Sequence, residues 1–236
     1  MNEQSTIVIS RFELGDMTAL FLRDGERGKT GCILVPGVFA DRADIDICRT
    51  DALVQLYIRG DRLPSDFING FTLSGAQTTE GFVFEDQTVN ETGGSLEIVT
   101  TMKEARGFRL LHRLVYRKGD RAIKVSATFK NDSTEPAVLE YISSFTLGSL
   151  PPFGGERRAD GMRIHRAKSW WSAEGRFVSE TVEQLHLERS FCGVGTRTER
   201  FGQTGSMPVR RYFPFIAVER INFNHAINLL LYKSGC

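Results

Sequence analysis

Apolar and polar residues alternate with a period of two along much of this chain. In FRLLHRLVYRK, Phe108, Leu110, His112, Leu114 and Tyr116 share one side of an extended backbone. In RAIKVSATFK, Ile123, Val125, Ala127 and Phe129 do the same, with Lys124, Ser126 and Thr128 opposite. The short turn Lys118-Gly119-Asp120 between them predicts a hairpin over residues 108–130. SLEIVTTMK before it and PAVLEYISSFTL after it extend the sheet. Upstream, TIVIS, TALFLR, GCILVPGVF, ALVQLYIR, GFTLSGAQTT and EGFVFEDQTV are further strand candidates, punctuated by Gly, Asp, Asn and Pro. No amphipathic helix longer than two turns is predicted. Short strands at this density predict an all-β chain, a sandwich or barrel of antiparallel sheets. The strand–helix alternation of a (β/α)₈ barrel is missing. Residues 149–168, SLPPFGGERRADGMRIHRAK, run from Pro/Gly into basic residues and predict an exposed crossing loop with a solvated Arg/Lys face.

Composition adds bounds. The 236 residues are 41% hydrophobic and include 17 Phe, enough for a sizeable core, while 23 Gly suit a chain rich in turns. A net charge of +1 gives no field to steer nucleic acid or an anionic membrane toward the protein, so neither is expected as a partner. No apolar run approaches the ~20 residues of a membrane span. MNEQSTIVIS lacks the basic and apolar regions of a leader, so a cytoplasmic location is expected. Cys32, Cys48, Cys192 and Cys236 are scattered without a CxxC, and His112, His165, His186 and His225 form no metal-binding spacing. No metal and no cofactor are therefore expected. The serine elbow G-x-S-x-G is missing, and GVGTRTERFGQTG fits neither phosphate-binding fingerprint. His112 is expected as a core histidine with one hydrogen bond. His112 and His165 are the histidines placed to act as a base, and nothing in the sequence pairs either with a carboxylate. No catalytic residue is assigned.

The remaining signal is AKSWWSAEGRF. Trp170 and Trp171, the chain's two tryptophans, stand side by side among polar residues. Neighbours on a strand point to opposite faces, so both cannot enter one core. Three stretches in order carry a resemblance: TFKNDSTEPAVLEYISSFTLG (128–148), HRAKSWWSAEGRFVSETVEQL (165–185) and RTERFGQTGSMPVRRYFPFIAVE (197–219). Together they resemble the N-terminal domain of glycoside hydrolase family 36, the α-galactosidases and related enzymes, over roughly residues 15–219. The family's tryptophan-acid element falls on Trp171 with Glu174, or on Trp170 displaced by one.

The resemblance implies a two-sheet antiparallel β-supersandwich of the galactose mutarotase-like type over residues 1–219. Residues 220–236 then form a last strand or a non-native tail. In the family this domain precedes a catalytic (β/α)₈ barrel whose aspartates lie in Lys-Trp-Asp and Ser-Gly-Gly-Gly-Arg-type stretches. Neither stretch occurs here. The resemblance thus implies a domain that supports hydrolysis of terminal α-galactosides by a barrel and is catalytically incompetent by itself. Its expected partners are that barrel, an α-galactoside or other carbohydrate, and a second copy of the chain in a homo-oligomer. The alternatives are a stand-alone carbohydrate-binding sandwich with Trp170 or Trp171 as its platform, and a mutarotase-like sugar epimerase. Trp171, three residues before Glu174, is expected inward, and Trp170 at the outer face or a domain edge. Both are candidate substrate-binding residues.

Overall fold

β-Structure dominates. A computed structural model describes residues 6–43, 45, 51–63, 74–150, 161–187, 199, 201–202 and 210–220. The chain divides into two compact units, one spanning 1–65 and 73–155, the other 66–72 and 156–236.

In the first unit, β1 (Thr6–Leu14), β2 (Met17–Asp24) and β3 (Thr30–Pro36) form an antiparallel sheet in that order. A short 3₁₀ helix (Gly37–Arg42) follows. β5 (Val83–Thr92), β6 (Ser95–Glu104), β7 (Phe108–Arg117) and β8 (Ile123–Asn131) form a four-stranded antiparallel meander. β4 (Leu56–Ile58) pairs with β9 (Leu139–Ile142). The β5–β6 hairpin closes on Gly93-Gly94 between the paired Thr92 and Ser95. Both glycines have positive φ, 59° and 79°, as a two-residue turn matched to strand twist requires.

The alternation read in residues 108–130 is realised. Phe108, Leu110, His112, Leu114 and Tyr116 are all buried, and the residues between them are exposed or half-buried. β8 pairs with them residue by residue, Phe129 against Leu110 and Val125 against Leu114. Phe21 of β2 meets the ring of His112 edge-on at 6.3 Å between centroids, and Ser10 Oγ donates to Gln87 Oε1 at 2.6 Å, so the two larger sheets of this unit face each other. On the other side of β2 and β3, Leu20, Leu22, Ile33 and Val35 pack with Ala40 of the 3₁₀ helix. Each such side chain contributes ~1.5–3 kcal/mol by leaving water. Cys32, paired with Phe21 on the opposite face of the sheet, is fully buried, and burial pushes its thiol up to about 12, so it is an inert core residue.

Two expectations change. GFTLSGAQTT was expected as a strand; its residues 70–73 lie outside the described residues, and Gln77–Gly81 form a short helix, α1. Tertiary hydrogen bonds decide this. Thr79 Oγ1 donates to the Leu56 carbonyl and accepts from the Leu56 N–H, while Thr78 donates to buried Asp61. The second change lies in 149–168, where Met162–Trp170 form strand β10 rather than a loop. Residues 151–160 lie outside the described residues, as do those beyond Arg220.

In the second unit, β10 is the central strand of a three-stranded antiparallel sheet, flanked by β11 (Arg176–Thr181) and β12 (Arg210–Arg220).

Candidate functional site

The two tryptophans sit at one end of this sheet. β10 ends at Trp170, and the chain turns through 171–175 into β11. Ser172 takes a positive φ of 59°, its N–H donates to Glu174 Oε1 at 2.9 Å, and the Ala173 N–H donates to the Trp170 carbonyl at 2.9 Å. Glu174 is therefore a turn-stabilising acceptor. Trp171 belongs to the turn, so strand alternation does not send it inward. Trp170 is 57% exposed, in line with its expected outer position, but Trp171 is 73% exposed, which corrects the inward placement. Neither indole is a core side chain. Truncation of Trp171 to Ala is accordingly expected to change stability by no more than about 0.5 kcal/mol in a urea melt, instead of the ~3–5 kcal/mol of a buried Trp.

The sheet has two chemically different sides. On one, Arg163, His165 and Ala167 of β10 lie opposite Thr181, Ser179 and Phe177 of β11. β12 places Glu219 opposite Arg163 and Ala217 opposite His165. His165 Nδ1 lies 2.8 Å from Ser179 Oγ, and its Nε2 lies 3.0 Å from Glu219 Oε2. Arg163 Nη1 is 3.8 Å from the same carboxylate oxygen. Phe177, 70% exposed, packs edge-on against Phe215 at 5.5 Å. His165 thus does have a carboxylate partner, Glu219, which the sequence did not reveal.

On the other side, Arg166 is buried and is bound by Glu180 and Glu199. Its guanidinium lies over the rings of Phe201 (5.2 Å) and Tyr212 (5.4 Å). Burial pulls it down, but the hydrogen bonds it donates to Glu199 and Glu180 outweigh this and hold it above its ordinary value. The two carboxylates take its Nη1 and Nη2, while its buried Nε has no hydrogen-bond partner among the described residues; we read the cluster as a structural node.

His112 belongs to the first unit and is no site. It is fully buried, stacked on Phe145 at 5.8 Å, and neither ring nitrogen has a hydrogen-bond partner among the described residues, where one bond was expected. Burial pushes its pKa down to about 4, so it is a neutral aromatic at neutral pH. Among the described residues no group of three or more His, Cys, Asp or Glu side chains is placed to hold a metal.

In comparisons with known proteins, no family model and no curated protein matches this chain.

Proposed function

We propose that this chain is the N-terminal β-supersandwich domain of an α-galactosidase-like glycoside hydrolase, and that its β10–β11 turn presents Trp170 and Trp171 to carbohydrate. The single observation that carries the reading is the joint exposure of both indoles on one turn. Large aromatic surface at such a tip gains nothing from the core, whereas an indole face suits the apolar C–H face of a pyranose ring. The motif order adds support, because the stretches 165–185 and 197–219 that carry the resemblance contribute β10, β11 and β12 of one sheet. Hydrolysis itself belongs, on this reading, to a barrel outside this chain, since the two aspartates that the reaction needs have no counterpart in the sequence. A stand-alone carbohydrate-binding module would use the same two indoles.

Calorimetric titration of the purified chain with methyl α-galactoside and α-galactosyl oligosaccharides tests the proposal. Saturable binding is expected, weakened at least tenfold by Trp170→Ala or Trp171→Ala, with no release of phenol from an aryl α-galactoside. Absence of binding to every α-galactoside, or binding indifferent to both substitutions, would overturn the assignment.

A further inference from the structure

We propose that Ser179 is an activated nucleophile that takes the acyl group of an activated aryl ester, with His165 as general base and Glu219 as the group that orients it. The inference is independent of the carbohydrate reading and rests on the open side of the β11–β10–β12 sheet.

Ser179 is exposed, and its Oγ lies 2.8 Å from His165 Nδ1. The opposite ring nitrogen lies 3.0 Å from Glu219 Oε2. An ionised carboxylate can only accept, so Nε2 carries the hydrogen and Nδ1 is left to accept the serine proton. This is the order a base-activated serine needs: nucleophile, base, then a third group that fixes the base's tautomer and steadies its positive charge. The imidazole is held by strand register, because Ser179 is directly opposite His165 and Glu219 is two residue pairs along, on the same side of the sheet.

The aryl group has a seat beside the serine. Phe177 precedes Ser179 by two residues, so both share a side of β11. Its largely exposed ring is propped against Phe215. An aryl ester laid on Phe177 brings its acyl carbon toward Ser179. In the step, the Oγ–acyl carbon bond forms and the bond from that carbon to the aryl oxygen breaks, its electron pair leaving with the aryloxide. The Ser179 proton passes to His165 Nδ1 and from there to water. Strand N–H groups lie in the plane of the sheet rather than above it, so the oxyanion has no backbone cradle on this side. Arg163 is the nearest cation on that side by register. The expected behaviour is therefore stoichiometric acylation followed by slow hydrolysis, not rapid turnover.

The test treats the native chain with 4-nitrophenyl acetate and, separately, with a dialkyl fluorophosphonate, from which Oγ displaces fluoride as the Oγ–P bond forms. Intact mass and peptide mapping are expected to show one adduct per chain, on Ser179. Ser179→Ala, which removes only an exposed hydroxyl, should abolish it, and His165→Gln should slow its formation about 100-fold. Where His165→Gln alters the circular dichroism spectrum, Glu219→Gln is read in its place, and slower labelling is expected there too. No adduct on the native chain, adducts confined to other residues, or Ser179 labelling at an unchanged rate in the folded base or carboxylate variant would overturn the proposal.

Discussion

Acidification from pH 7 to pH 4 is expected to remove about 3 kcal/mol of folding stability through His112 alone. The imidazole is fully buried between Phe21 and Phe145 without a hydrogen-bond partner among the described residues. Burial pushes it down to about 4, against about 6.5 in an unfolded chain. Between those values the unfolded chain binds a proton that the folded chain refuses, so stability rises with pH across that window. The contribution is complete above about pH 6.5 and is lost as pH falls toward 4. The gap between the two values converts to ~3 kcal/mol at 1.36 kcal/mol per pH unit. His112→Phe keeps a ring against Phe145 and removes the titration. Urea melts followed by circular dichroism at pH 7 and pH 4 should show the native chain losing about 3 kcal/mol more than the variant. Parallel losses would mean that water or an acceptor reaches the imidazole.

Arg166→Leu is expected to destabilise the second unit by about 3 kcal/mol. Removing one member of a buried ion cluster strands the charges left behind, which typically costs 3–5 kcal/mol. Glu180 and Glu199 are each 32% exposed, so water screens them and the low end applies. The substitution also removes the cation stacked on Phe201 and Tyr212. Arg166→Lys should recover only part of the loss, since an ammonium cannot reach both carboxylates with a planar fork. Urea melts followed by far-UV circular dichroism, which reads the strands themselves, report the unfolding. An unchanged midpoint for Arg166→Leu would show the cluster to be energetically idle.

The strands that were legible in the sequence are those whose burial is apolar and one-sided. β7 is the clearest case, with five inward residues at strict alternation. β10 was illegible because MRIHRAKSW buries Arg166 and Ser169 and sets His165 among polar partners. A charge-rich strand satisfied by carboxylates and rings reads like a loop until its partners are known. α1 was missed for a related reason: Thr78 and Thr79 favour strands, and hydrogen bonds to Asp61 and Leu56 override that preference. The tryptophan pair was legible as a feature that a core could not absorb, but not the turn that exposes both indoles. The Ser179–His165–Glu219 array was out of reach, because its members stand 14 and 54 positions from His165 and meet only through pairing in the sheet.

Trp170 and Trp171 are the chain's entire complement of tryptophan, so indole emission tests the central claim directly. The free protein should emit at the long wavelengths of hydrated indole and be fully quenched by acrylamide. Methyl α-galactoside should shift that emission to shorter wavelength and protect it from quenching, and each Trp→Ala variant should lose the protection. Short-wavelength, quench-resistant emission in the free protein would place the indoles in the core. Long-wavelength emission indifferent to every α-galactoside would leave them exposed without the carbohydrate role, and either result would contradict the account.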